Sequence, residues 1–233
     1  MTVDNLLHLA NNSGGVLYVI AAMLFVALTI IIERSWFLRR ASSGSRAALD
    51  QIDQIDRLEP LNAATLTACA EQFHALPMAS LLKVAGRLAG QTSSREDLDA
   101  GLEEAIMREA PNIDRLLWVL DTIVTLAPLL GLFGTIVGMF NAFQVLSNPG
   151  NAPTQVTGGV AEALIATASG LFVAMIGLVF FNGLHNRVRG VVHQLETLKA
   201  ALVNRLAART HEPVKTVHEV PRPVVGKFAS QGV

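Results

Sequence analysis

Apolar residues gather into three long runs along the chain, and the polar residues fill what lies between them. From Val16 to Ile32 only Tyr18 and Thr29 break the apolar pattern. From Thr122 through Ala161 there is no Asp, Glu, Lys or Arg, and after Glu162 the next formal charge is Arg187. At ~1.5 Å per helical residue, each run is long enough to cross ~30 Å of hydrocarbon. The pattern therefore predicts an all-α membrane protein with three transmembrane helices, at 16–32, 116–146 (the last including an extension beyond the membrane) and 159–184. Around them fall a short terminal segment at 1–15, a helical domain at 33–115, a loop at 147–158, a further helix at 185–210 and a disordered tail at 211–233.

Between the first two spans the pattern changes to helices with turn signals. Pro60 and Pro77 punctuate the segment, and Gly86, Gly90 and the run Gln91-Thr92-Ser93-Ser94 mark a loop. Ser93 with Glu96, or Ser94 with Asp97, has the form of a capping box opening a helix whose Leu98, Leu102, Ala105 and Ile106 share one face. This helix feeds the second span, with Pro111 as a kink or junction. A domain of this size, interrupted so often, buries little surface by itself, so it is expected to pack on extensions of the second and third spans or on neighbouring subunits. Beyond the third span, Val188, Val191, Val192, Leu195, Leu198, Leu202 and Leu206 recur at helical spacing and predict a helix projecting well past the membrane. Pro213, Pro221, Pro223 and Gly226 argue for disorder after it.

Charge adds an orientation. Lys and Arg total 18: ten lie between the first two spans, eight follow the third, and none lies in 1–15 or 147–158. By the positive-inside rule the N-terminus and the 147–158 loop lie on the outer side of the membrane, and the 33–115 domain and the C-terminus are cytoplasmic. The first run lacks a basic leader and is followed by Glu33-Arg34-Ser35-Trp36 rather than a small-residue cleavage site, so it reads as a retained span. Composition narrows the class further. With 51% hydrophobic residues, 16% charged residues and a mean hydropathy of +0.43, the chain is no nucleic-acid binder. Its single cysteine, Cys69, cannot form an internal disulfide and reads as a small buried apolar residue. The six histidines show no metal spacing, and no nucleophile with a base or phosphate loop appears, so the chain is not expected to be an enzyme.

The remaining chemistry sits in spans two and three. In the second, Gly131, Thr135, Gly138 and Ala142 recur at spacings of four and three, and Gly134 with Gly138 forms a GxxxG pair. In the third, Ala163, Thr167, Gly170, Ala174 and Gly177 make an equivalent stripe. Small residues let helix backbones approach closely in lipid, where no hydrophobic drive holds helices together. Span one has no such stripe and is expected to face lipid. Glu162 is the one carboxylate inside a span, and a charge there costs about 2.5 to 3.5 kcal/mol, so it should face a bundle interior or wet cavity. Counted inward from the 147–158 loop, Thr135 and Glu162 share a depth, and Ile165, Ala166, Ser169 and Val173 share the helix face of Glu162. Plainer roles stand beside these. Glu162 could be a structural carboxylate, Thr135 and Thr167 could bond back to i−4 carbonyls, Asn141 could bond between helices, and Pro128 reads as a kink.

The segments Leu126-Ala-Pro-Leu-Leu-Gly-Leu-Phe-Gly-Thr-Ile-Val-Gly and Gly159-Val-Ala-Glu-Ala-Leu-Ile-Ala-Thr-Ala-Ser-Gly-Leu-Phe closely resemble the paired signatures of the MotA/TolQ/ExbB proton-channel family, most like its ExbB and TolQ branch. The resemblance implies an inner-membrane homo-oligomer, a pentamer, around a one-span ExbD- or TolR-like partner, using proton flow to energise a TonB- or TolA-like transducer. It carries the family's functional glutamate onto Glu162 and its two threonines onto Thr135 and Thr167; Ser169, on the helix face of Glu162, is expected on the same proton path. It leaves Gly131, Gly134, Gly138, Ala163 and Gly170 as helix-packing positions. It implies no cofactor beyond the coupling proton, and it is compatible with bound phospholipid. One departure is visible: where relatives often carry Ala-Ile-Pro-Ala, this chain has Ala174-Met175-Ile176-Gly177.

Overall fold

The computed structural model describes residues 15–58, 61–89, 94–146 and 153–210. The disordered-tail expectation for 211–233, most of the 1–15 segment and the Ser93 form of the capping box lie outside them. The described residues form six α-helices: α1 (Val16–Leu58), α2 (Ala63–Gln72), α3 (Met78–Ala89), α4 (Arg95–Ile113), α5 (Leu117–Leu146) and α6 (Pro153–Thr210). Three of them, α1, α5 and α6, are long and apolar enough to cross a membrane.

The first span and the polar stretch after it are one helix. The expected segment of 16–32 continues without a break to Leu58, 43 residues and so about 64 Å. Nothing in Glu33-Arg34-Ser35-Trp36 is a helix breaker, and the buried series Ala27, Ile31, Leu38, Ala41, Ala48 and Ile52 keeps one face apolar on both sides of the membrane boundary. Span one thus buries one face and leaves only the other for lipid, which refines the expectation that it faces lipid alone. The third span behaves likewise, α6 running 58 residues, or about 87 Å.

Cross-links set the directions of these rods. Gln194 Nε2 donates to Ser42 Oγ (3.2 Å) and Arg205 pairs with Asp53 (2.5 Å), so α1 and α6 run parallel at a constant offset. Lys199 pairs with Glu103 (2.8 Å) and Asp99 (3.1 Å), and Arg95 donates to Asn204 Oδ1 (2.8 Å), so α4 runs antiparallel to α6. The hydrogen bond to Glu103, with Asp99 beside it, holds the Lys199 ammonium above the ordinary lysine range in spite of its partial burial. A cation whose pKa is raised on folding keeps its stabilising contribution at neutral pH and loses it only as pH climbs through the raised value, so this latch is closed throughout the physiological range.

Outside the spans, the lower halves of α1 and α6 pack with α2, α3 and α4 around Leu38, Ile52, Leu66, Leu81, Leu102 and Leu198, all of them buried. The domain therefore uses the extension of the third span, as expected, but takes its other wall from α1. Local caps agree with the sequence. Ser94 and Asp97 form a reciprocal capping box at the start of α4, and Asn62 with Thr65 does the same for α2. Cys69 is buried, its Sγ donating to Gln51 Oε1 (3.6 Å), and burial pushes its thiol pKa up.

The α4–α5 junction differs from the sequence expectation. The helix passes through Pro111 to Ile113, and the turn falls at 114–116, where Leu116 has φ +66°. Leu116 is the one non-glycine residue with positive φ among the described residues, and the left-handed region costs such a residue on the order of 1 kcal/mol. Two features hold it there. Ile113, Leu117 and Leu120 are buried on either side, and Arg34, itself only 4% exposed, donates from Nη1 to the Asn112 carbonyl (3.1 Å). That carbonyl belongs to the last turn of α4, which has no intrahelical donor. The Arg34 charge is met by Glu33 through Nε (2.6 Å) and Nη2 (2.9 Å), and its guanidinium lies 4.9 Å from the Phe37 ring centroid.

Candidate functional site

The glycine stripes close on each other inside one chain. A methyl group added at Gly138 would stand 2.7 Å from Ala163 Cβ, one at Gly134 2.7 Å from Ala166 Cβ, and one at Gly159 2.9 Å from Ala142 Cβ. Further along, Gly131 faces the backbone of Ala166 and Thr167 at 3.1 Å, Gly170 faces the Ala127 carbonyl, and Gly177 faces Val124. These pairs advance in step, so α5 and α6 form an antiparallel hairpin with backbones in near contact along its membrane-spanning length. Gly131, Gly134, Gly138, Ala163 and Gly170 all lie in this seam. The partner helix for each stripe is therefore the other stripe of the same chain.

The two threonines differ. Thr167 lies in the seam, and its Oγ1 donates to the Gly131 carbonyl across the helices (2.9 Å), which is no i−4 back-bond. Thr135 stands at the margin of the seam, half-buried, where Gly134 takes the central place, and its Oγ1 donates to Leu132 O within its own helix (2.6 Å). Thr135 thus bonds locally, one residue nearer than the i−4 geometry considered from sequence.

Glu162 is half-buried, next to Ala163, which rests on Gly138. Since Gly134 meets Ala166 and Gly138 meets Ala163, Thr135 sits a little under one turn, roughly 4.5 Å, from the level of Glu162. The register thus puts carboxylate and hydroxyl at nearly one depth. The face that Glu162 was expected to share is divided by packing. Ala166 and Val173 are buried, while Ile165 stays open. Ser169 borders a crevice of about 430 Å³ between α1 and α6 with Leu17, Ile20, Leu24 and Phe172, two turns along from Glu162 and on the α1 side. Pro128 sits within α5, which continues through it, and Asn141 and Asp121 are exposed. Among the described residues no cluster of His, Cys, Asp and Glu has the form of a metal site.

Large apolar side chains cover the outer surface of the hairpin. Leu129, Phe133, Ile136 and Phe140 on α5, with Leu164, Leu171 and Met175 on α6, are exposed. Surfaces of this kind are stable only against lipid or another protein.

Residues 72–197, which contain the whole seam, match a family model described as the MotA/TolQ/ExbB proton channel family. An ExbB-like biopolymer transport protein of Synechocystis sp., ExbB-like 3, is 34% identical over 73% of this chain and 80% of its own length. The Tol-Pal system protein TolQ of Haemophilus influenzae is 30% identical over 76% of this chain and 80% of its own length. The biopolymer transport protein ExbB of Neisseria meningitidis is 27% identical over 82% of this chain and 90% of its own length.

Proposed function

The chain belongs to the MotA/TolQ/ExbB proton channel family, and on that premise we propose that it is an inner-membrane stator subunit of the ExbB type. It assembles as a homo-oligomer, a pentamer, around a one-span ExbD-like partner, and uses proton flow to energise a TonB-like transducer for outer-membrane import. Its N-terminus is periplasmic and its helical bundle and C-terminus are cytoplasmic, a reading supported by the distribution of the 18 basic residues. One charge crossing 100 mV releases about 2.3 kcal/mol, so repeated proton steps can drive conformational work.

The observation that carries the reading is Glu162: a half-buried carboxylate within a membrane-spanning helix, at the edge of a close-packed seam and a little under one turn from the level of Thr135. A carboxylate at that depth is costly in its charged form, so it belongs beside a wet or titrating path rather than against lipid. In the assembled stator Glu162 and Thr135 shape the proton path beside the partner's helix, with Ser169 further along it. Thr167 contributes by holding α5 to α6.

A TolQ-like role in the Tol-Pal system is the second reading, supported by the comparable similarity to the Haemophilus influenzae protein. The two readings share Glu162 and differ in the transducer. Glu162→Gln tests the common part, because it keeps size and most hydrogen bonding but cannot carry charge. The variant should insert and bind its one-span partner at normal yield while losing proton-driven work. Full work at normal yield would defeat the proton-path assignment and favour a passive scaffold. Loss of the complex itself would make Glu162 a structural carboxylate.

A further inference from the structure

The face of α1 turned away from the rest of the chain changes chemistry along its length. At about 100° per residue, Phe25, Ile32, Trp36 and Arg39 lie within about 40° of one line, and Arg40 flanks it. Phe25 is 73% exposed and Ile32 and Trp36 are each 69% exposed, and both arginines are exposed as well. The order along the helix is therefore an apolar ridge within the span, then an indole, then two guanidinium groups.

These two arginines differ from the basic residues that cross-link the bundle. Arg34, Lys199 and Arg205 each meet carboxylates of the chain, whereas neither Arg39 nor Arg40 has an ion pair or hydrogen bond to another described side chain. The nearest acid in sequence, Glu33, is held by Arg34. The next acid along the same face, Asp50, lies ten residues past Arg40, about 15 Å away along the axis.

We propose that Trp36, Arg39 and Arg40 bind the headgroup of an anionic phospholipid in the leaflet that meets the basic end of span one. The acyl chains lie along Phe25 and Ile32, the indole sits at the level of the headgroups, where amphipathic rings are favoured, and the paired guanidinium groups take the phosphate. The continuity of this face with the apolar ridge selects a lipid over a soluble anion. Two uncompensated positive charges select a headgroup of net negative charge over a zwitterionic one. The site is independent of the proton path, since it lies on the opposite side of α1 from the α5–α6 seam. It fixes the depth of the helix that forms one wall of the extramembrane bundle.

The test uses the full-length protein purified in detergent and counts retained lipid by native mass spectrometry. Dioleoyl-phosphatidylglycerol should be retained in preference to dioleoyl-phosphatidylcholine. The double variant Arg39→Gln/Arg40→Gln should lose about thirty-fold in apparent affinity for phosphatidylglycerol, the loss expected for two juxtamembrane basic residues. Arg57→Gln, at the far end of α1, should lose nothing. Equal retention of the two lipids by the wild-type protein would overturn the proposal, whether or not the double variant folds. So would displacement of the lipid by millimolar inorganic phosphate, which would indicate a site for free anion. A loss confined to Arg187→Gln/Arg189→Gln would place lipid binding on α6 and overturn it equally.

Discussion

Single residues in the seam are constrained by distances too short to adjust. A β-carbon at Gly170 would press on the Ala127 carbonyl and stand 3.0 Å from Gly131 Cα, both backbone atoms that no rotamer change can move. At Gly183, on the same helix, the same carbon would meet nothing within 4 Å. Gly170→Ala should therefore destabilise the hairpin by about 1–3 kcal/mol, and Gly183→Ala should be neutral or slightly stabilising through helix propensity. Thermal unfolding in detergent followed by circular dichroism separates the two, and an equal melting temperature would disprove close packing at Gly170. The threonines divide similarly. Thr167→Val removes an interhelical bond worth about 0.6 kcal/mol in a membrane, whereas Thr135→Val removes only a local one. A stability loss confined to Thr167→Val, together with a defect in proton-driven work from Thr135→Val, is the expected outcome. The reverse assignment would interchange their roles.

At the level of helices, the corner between α4 and α5 decides how the second span leaves the extramembrane bundle. Leu116 is in the left-handed region and half-buried, while its neighbour Leu117 has a buried side chain in regular helix. Leu116→Gly relieves strain and loses modest packing, so its stability should stay within about 1 kcal/mol of the wild type. Leu117→Gly loses a buried side chain at the first position of α5, and should cost about 3 kcal/mol. Denaturant titration of both variants checks this, and equal losses would show that the strain at Leu116 is not relieved by glycine. Arg34 belongs to the same corner. A chain of hydrogen bonds runs from Glu33 through Arg34 to Asn112, from Asn112 to Glu109 and from Glu109 to Ser80, so α1, α4 and α3 are tied together beside the turn.

Over the whole molecule, α4 and α5 form one broken rod antiparallel to α6. The pairing of Asp99 and Glu103 with Lys199 and that of Gly138 with Ala163 keep the same register on the two sides of the corner. With α1 parallel to α6 on the other flank, a shift at the spans can pass into the bundle along three rods without crossing a flexible linker in α1 or α6. The assignment of sides is testable in intact cells. Cysteine placed at Gly158, exposed at the start of α6, should react with an impermeant maleimide from the periplasm, and cysteine at exposed Ser43 should not. Labelling of the Ser43 position from outside would invert the topology.

The three spans, the candidate carboxylate and the small-residue stripes were legible from the chain alone, because hydrocarbon tolerates neither charge nor unsatisfied backbone and so leaves a plain pattern of residue types. The capping box at Ser94 and Asp97 was legible for a local reason: its two hydrogen bonds join residues three apart. What the stripes pack against was not. Small residues permit close approach without naming a partner, and only the register of α5 on α6 showed that each stripe meets the other and that Gly134, rather than Thr135, holds the centre. The continuity of α1 through its membrane boundary and the displacement of the corner from Pro111 to Leu116 were likewise decided in three dimensions. Arg34 reaches Asn112 across 78 positions of sequence, and a bond between such distant residues leaves no periodicity to read.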